Sequence, residues 1–458
     1  MRRILNITRS DDVPLMSRPN FIIERRHLMA WGMFSGIVEG NISTIVVLKT
    51  FHASEFLATT VWSIPFVANM LMVLWAGQPR SQPKLKRLIT LGLCAVVSMA
   101  SIFVTPSEYA WGGWLFAAQL LATRLFLAGV VAVRTTIWNA NYPKEQRARL
   151  VARLQALRFL MGLMIAAVVT RLFDLHPQVY RFVYPSIACV GLFALLLARP
   201  LRVRGESRAA ARNGDRDSAP ATGFMQSMRN AAGVLRDDRR FARYCTAQFF
   251  LGSANFMIEP VLTITLIQQL GFGYFWTAGI MDIIPAFVML LAMQFWAPHF
   301  DRVGAVQFRV VNSAVWVVAF AMAALSMLMV VRAESAWTPL WIGAIAVLLL
   351  ARVMAGIGRG GGAIAWHIGH LHFARPDNAE TYMRVHMALT GLRGILLPQF
   401  SRMLNQRIGS WSFVIAVLSG VIGMLLYRRL ARDDRRQATA AEAEAERSTP
   451  QTVRADVT

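Results

Sequence analysis

Leu349–His370 reads LLARVMAGIGRGGGAIAWHIGH. A G-x-G-x-G-G run from Gly356 suggests a phosphate-cradling loop, Arg352 and Arg359 stand in apolar surroundings, and His367 and His370 are two of the chain's eight histidines. A dinucleotide loop follows a strand and opens a helix within a βαβ unit. No strand signal precedes these glycines; they lie inside one long apolar stretch, 338–366. Such a stretch is long enough to cross ~30 Å of hydrocarbon as a helix. Glycines inside a membrane helix let neighbouring helices approach closely and allow a bend, so the nucleotide reading falls.

The same pattern recurs along the chain. Of its 458 residues 55% are hydrophobic and 16% charged, where soluble chains carry about a quarter charged residues. Twelve apolar stretches are expected to form helices, at 27–50, 56–77, 87–106, 111–138, 150–172, 180–199, 244–269, 273–297, 306–331, 338–366, 381–403 and 411–427. Helices satisfy their own backbone groups, as the bilayer requires. The expected fold class is an all-α polytopic membrane protein. The first twenty residues hold no apolar core of 7–15 residues, so they do not read as a cleaved signal peptide, and the first helix serves as the insertion signal.

A net charge of +23 raises the question of nucleic acid, which the placement of the charges answers. Arg2, Arg3, Arg9, Arg25 and Arg26 precede the first stretch; Arg80, Lys84, Lys86 and Arg87 follow the second. Lys144, Arg147 and Arg149 follow the fourth, and an arginine-rich run from Arg199 to Arg243 follows the sixth. The alternate loops TPSEYAW and QQLGFGYFW carry neither Lys nor Arg. By the positive-inside rule both termini are cytoplasmic, and the excess charge serves topology and anionic lipid. No basic stretch is interleaved with aromatics for base stacking, so no nucleic-acid partner is expected. Cys94, Cys189 and Cys245 show no paired spacing and read as packing residues.

Between the sixth and seventh stretches the polar RVRGESRAAARNGDRDSAPATG precedes an amphipathic FMQSMRNAAGVLRDDRRFARY. The expected organisation is a cytoplasmic segment 1–26, a six-helix bundle 27–199, a central loop with a surface helix 200–243, a second bundle 244–427 and a polar tail 428–458, disordered or loosely helical. The bundles repeat one another. Gly32 and Glu39 in W-G-M-F-S-G-I-V-E match Gly252 and Glu259 in L-G-S-A-N-F-M-I-E; Pro65 matches Pro285; Arg124 and Trp138 match Arg352 and Trp366. A slowly drifting offset held over three helix pairs points to a duplicated, pseudo-symmetric unit.

Six plus six helices, cytoplasmic ends and a long central loop resemble the major facilitator superfamily. R352-V-M-A-G356-I-G358 resembles its R-x-x-x-G-x-G helix motif, and F300-D301-R302-V303-G304 resembles the D-R-x-G core of its loop motif, with Arg309 left of the basic ending. The helix motif's counterpart, Arg124 to Gly129, is one residue too wide, and the loop after the second stretch has Arg80 where the motif has Asp. The resemblance covers about 25–430. It implies two rocking halves, alternating access and a substrate site at mid-membrane, with the first, fourth, seventh and tenth helices lining the cavity. Asp301, Arg302, Gly304, Gly356 and Gly358 are then the gating motif.

At 1.5 Å per residue Glu39 lies ~18 Å into its helix, and Glu259, Arg124 and Arg352 reach similar depth. An ionised group there costs at least ~2.5–3.5 kcal/mol unless paired, and a carboxyl that is alternately paired and free suits proton coupling. Glu39 and Glu259 are the candidate proton or cation sites. Arg124 and Arg352 either grip a substrate anion or lock the acids, and the four read equally as structural ion pairs. Asn41 and Asn255 lie close by, Asn255 four residues before Glu259 on one helix face. Asp282 is a possible coupling residue. Arg134, Arg158, Arg359 and Arg393 sit nearer the cytoplasmic ends, as gate contacts or snorkelling groups. His367 and His370 share a face and are weak candidates for a soft metal; with no further ligand at helical spacing, no metal and no cofactor are expected.

The sequence thus reads as a secondary transporter of a small polar or anionic molecule, proton-coupled, monomeric and held in an inner (cytoplasmic) membrane. Alternatives are a multidrug or lipid exporter of the same fold, permitted by Trp31, Phe34 and Phe256, and a non-transporting sensor or assembly subunit, suggested by the altered loop at Arg80. No nucleophile set points to an enzyme.

Overall fold

A computed structural model describes residues 10–71, 83–205, 229, 233–374 and 379–448, and all its regular structure is helical. The first expected helix is broken into α1 (Arg18–Gly36) and α2 (Ile42–Lys49). Gly40 stands in the gap at φ +81°, a conformation that glycine takes without steric cost. α3 spans Glu55–Met70, α4 Lys84–Ala100, α5 Gly112–Asn141, α6 Lys144–Leu175 and α7 Tyr180–Ala198. In the second half α8 spans Arg239–Gln268 and α9 Tyr274–Ala278, which runs through a π turn at Gly279–Ile283 into α10, Ile284–Arg332. α11 spans Pro339–Ile368, α12 Ala379–Ile408 and α13 Trp411–Ser448.

Local signals explain several starts. The Ser54, Thr338 and Asp238 side chains accept from the amides of Leu57, Trp341 and Phe241, each capping an orphan donor; Pro339 at the head of α11 supplies a helical φ in advance. The eighth and ninth stretches form one helical run, 274–332, kinked at Gly304, where φ is +72° and ψ 170°. Of the two states expected for the tail, helix is the one seen as far as Ser448. Most of the central loop and its expected surface helix, and Arg80 after α3, lie outside the described residues.

Eight helices among the described residues are long and apolar enough to cross a membrane. The first stretch is interrupted at its break, and α12 carries Arg384, Arg393, Arg402 and Arg407. Leu93, Val97, Phe182, Phe193, Phe295 and Leu418 turn outward, the arrangement of a lipid-facing surface. Among the described residues two large hydrophobic cores form inside, with a small third cluster of Ala292, Trp296, Phe308 and Ala365. One large core gathers residues from Val13 to Leu201 with Ile264, Tyr274 and Ala278; the other gathers residues from Phe241 to Ala431.

Close helix approach depends on glycine where the sequence places it. A Cβ at Gly36 would stand 2.4 Å from Gly162 Cα, and one at Gly356 would stand 2.7 Å from Pro285 O. These contacts bring α6 against α1 and α11 against α10.

Candidate functional site

The break between α1 and α2 sets the site. Glu39 sits in it, its side chain one-third exposed, and Arg158 of α6 donates to Glu39 Oε1 at 2.7 Å and to Ser35 Oγ at 3.0 Å. A cavity of about 680 Å³ opens beside this pair, lined by α1, α3, α5 and α6 of the first half. Besides Glu39 its charged lining is Arg124, Arg134, Lys144, Arg147 and Arg158. Its walls reach the α5–α6 turn, one of the basic loops.

Arg134 is buried, and its Nη2 donates to His27 Nε2 at 2.8 Å, while His27 Nδ1 meets Ala194 O at 2.7 Å. A carbonyl only accepts and a guanidinium only donates, so His27 carries its proton on Nδ1 and is neutral, leaving the charge of Arg134 uncompensated by it. Arg134 also lies 5.6 Å from the Trp31 ring centroid, a cation–π distance. Below it Glu24 is buried and accepts from Trp138 Nε1.

Glu259 occupies the matching depth in the second half but is enclosed differently. Arg352 donates to both carboxylate oxygens, at 2.9 and 3.2 Å, and Arg359 adds a contact to Oε1 at 2.9 Å. The Arg352 and Glu259 side chains are 3% and 4% exposed. Arg352 also donates to Ile280 O at 3.1 Å and Met281 O at 2.9 Å, carbonyls in the π turn, where the ordinary helical ladder is interrupted. The two symmetry-related arginines thus differ. Arg352 is saturated; Arg124 makes no hydrogen bond or ion pair among the described residues and lines the cavity.

Between the halves Asp282 accepts from the Asn41 backbone amide at 2.8 Å and from its Nδ2 at 2.9 Å. Asp282 of the second half thereby caps α2 of the first. The converse also occurs: Asp174 of α6 accepts from the amides of Tyr274 at 2.6 Å and Phe275 at 3.0 Å, capping α9. With Lys49 on Phe272 O, Thr50 on Tyr274 and Gln406 on Glu55, these bonds close the halves together at the end away from the basic α5–α6 turn. A smaller crevice of about 280 Å³ brings Glu39, Arg158, Asp282 and Arg359 onto one surface.

Of the residues singled out in sequence, Glu39, Arg124, Asn41 and Asp282 gather around the helix break, and Glu259 with Arg352 forms a separate buried pair. Asn255 is half-buried, and its Oδ1 has no partner among the described residues. Arg158 and Arg359, expected toward the helix ends, bond the two glutamates; Arg393 instead is buried and bonds Phe249 O at 3.2 Å. Asp301 and Arg302 are exposed beside Gly304, whereas Arg309 turns inward to Asn312 Oδ1 at 3.2 Å and Tyr244. A Cβ at Gly358 would touch Trp316 at 3.0 Å. Among the described residues no three His, Cys, Asp or Glu side chains gather as metal ligands. His370 is buried, and the His367 side chain lies outside the description. Glu24, His27 and the pairing of Arg158 with Glu39 were missed in sequence, because pairs between helices leave no spacing signal.

A family model described as Major Facilitator Superfamily matches residues 28–346. Among solved structures, the nucleoside transporter NupG is 11% identical, with a TM-score of 0.62 over 91% of this chain and 99% of its own. A D-xylose-proton symporter is 16% identical, with a TM-score of 0.60 over 89% and 96%. A bacterial homolog of the human lysosomal transporter Spinster, inward-facing and unoccupied, is 12% identical, with a TM-score of 0.59 over 92% and 98%. At these identities the likeness is one of fold. No curated protein matches.

Proposed function

Because the chain belongs to the Major Facilitator Superfamily, we propose that it moves a small polar or anionic solute across the membrane by alternating access, driven by protons. The observation that carries this reading is a carboxylate, Glu39, one-third exposed beside a solute-sized cavity and held by a single arginine, Arg158. A cavity of this volume falls within the range of small-molecule sites. Protonating Glu39 dissolves its ion pair, and the break it occupies is joined to the other half through Asn41 and Asp282. Proton binding and the contact between halves are thereby adjacent.

In this reading 27–199 and 244–427 are the rocking halves and 200–243 joins them. The basic loops face the cytoplasm, so both termini and the cavity mouth do too, in an inner membrane, with the chain acting as a monomer. Glu39 is the proton site; Asp282 couples it to the opposite half. Glu259 with Arg352 anchors the second half, Asn255 offers an unpaired polar atom, and Asp301, Arg302 and Gly304 with Gly356 and Gly358 form the gate. The nucleoside and xylose named for two structural neighbours agree with a small polar cargo.

The test is purified protein in liposomes with a pH-sensitive dye trapped inside. Addition of the transported solute should move protons in the wild type and not in Glu39→Gln. Solute flux that ignores both the pH gradient and this substitution would refute proton coupling.

A further inference from the structure

We infer that the cargo is a small organic dianion, a dicarboxylate or phosphate monoester, gripped by Arg124 and by the arginine that Glu39 releases on protonation. This rests on reading the chain as a carrier and adds the substrate's charge. The first observation is the inequality of the matched arginines: Arg352 spends its donors on Glu259 and two carbonyls, whereas Arg124 spends none and faces the cavity. A guanidinium is a planar fork suited to a carboxylate or phosphate. The nearest counter-charge of Arg124 is the Glu39 carboxylate, to which it is not bonded; once Glu39 is protonated, a bare guanidinium there is costly unless a ligand supplies the charge.

The second observation is the charge of the cavity wall. Arg124, Arg134, Lys144, Arg147 and Arg158 face it against one carboxylate, Glu39, and the His27 beside Arg134 is neutral. Low-dielectric walls with one sign of charge concentrate the opposite ion. A neutral sugar or nucleoside would leave this excess standing; a cation would worsen it.

The third is the arrangement of charges around Glu39. Arg124 and Arg134 face it from α5, Arg158 from α6, Asp282 from the π turn and Arg359 from α11; α3 contributes only uncharged groups to the cavity. Among the described residues Arg158 is the one charged group bonded to its carboxylate, with the Ser35 hydroxyl beside it. When Glu39 takes up a proton, its negative charge disappears and Arg158 loses its ionic partner. Two cationic forks, Arg124 and Arg158, then face one compartment, matching two negative charges. One proton and one dianion enter, a carboxylate becomes a carboxylic acid, and two guanidiniums become paired. The local charge of Glu39, Arg124 and Arg158 falls from +1 to zero, the proton bringing one positive charge and the dianion two negative ones.

Two consequences can be measured together on the full-length protein in detergent. The probes are succinate, glucose 6-phosphate and inorganic phosphate, with xylose, uridine and putrescine as neutral and cationic controls. A dianion should raise the melting temperature; its affinity, reckoned on the concentration of the dianion form, should rise about tenfold per unit fall in pH while Glu39 is ionised, and titration in buffers of different ionisation enthalpy, at a pH where the probe is a dianion, should report about one proton taken up per anion. Succinate set against the phosphates separates the two sources of dianion. Arg124→Gln should weaken the anion at least about tenfold, Arg124→Lys should weaken it less, and Glu39→Gln should bind it with no pH dependence and no proton uptake; unliganded melting shows that each variant folds. Stabilisation and flux by neutral or cationic probes alone would overturn the dianion and leave the carrier standing. Anion binding indifferent to Arg124→Gln would overturn the site. No response to any dianion overturns the inference, and no binding or flux of any probe speaks against the carrier reading as well.

Discussion

Truncating the matched arginines to methionine should have opposite consequences. In Arg352→Met, Glu259 keeps Arg359 but loses its bidentate partner, at 3% exposure. Removing one member of a buried pair costs about 3–5 kcal/mol, and the surviving Arg359 contact places this loss near the lower figure. The freed carbonyls of Ile280 and Met281 each add about 1 kcal/mol. The total is about 5 kcal/mol, which at about 2–4 °C per kcal/mol lowers the melting temperature by roughly 10–20 °C. Arg124→Met breaks no hydrogen bond and removes a charge that is costly when unpaired, so unliganded stability should be unchanged or raised. The assay is thermal unfolding in detergent followed by intrinsic tryptophan fluorescence, with Glu259→Gln added to Arg352→Met to test coupling; the double variant should lose less than the sum of the two. If Arg124→Met melts as low as Arg352→Met, Arg124 is a structural residue and the asymmetry drawn here is wrong.

Three further outcomes are expected. Asp282→Ala leaves the Asn41 amide and side chain without their acceptor, at about 1–3 kcal/mol, and should favour separation of the halves at the α2–α9 end; a cysteine placed at Thr50 should then react faster with a membrane-impermeant maleimide, and an unchanged rate would dismiss Asp282 as a clasp. Gly36→Val forces apart α1 and α6, whose backbones meet at Gly162, and should cost at least about 1–3 kcal/mol by overpacking, read as lowered melting and poor expression; wild-type melting would contradict the close approach. Asp12, outside the membrane helices, has its carboxyl held below the usual carboxylate range by the hydrogen bond and charge of Arg153, with Arg149 helping. A depressed acid stabilises the fold above its unfolded value of about 4 and stops doing so as pH falls through its folded value, so Asp12→Asn should cost up to about 1 kcal/mol at pH 7; the deficit should close progressively below about pH 4 in paired melting curves, and a deficit that persists would point to packing instead.

Membrane residence, the helical class and the family were determined by the sequence alone, because each rests on local properties. An apolar stretch of spanning length must satisfy its own backbone in lipid, and RVMAGIG and FDRVG are contiguous motifs. The rise argument placed Glu39 within an unbroken helix, whereas the structure sets it in the gap between α1 and α2. The partners of Glu39 and Glu259 were not legible. Arg158 stands 119 positions from Glu39 and Arg352 stands 93 from Glu259, distances closed only by helix packing, which follows the glycine contacts rather than any periodicity. Sequence symmetry even pointed the wrong way for Arg124 and Arg352, presenting as equivalents two residues that the fold treats differently. The break at Gly40, the π turn that offers carbonyls to Arg352 and the crossed caps of Asp174 and Asp282 decided that difference. Each needs two distant segments in contact before its energy exists, so only the tertiary structure could settle which charge is locked and which is left facing the cavity.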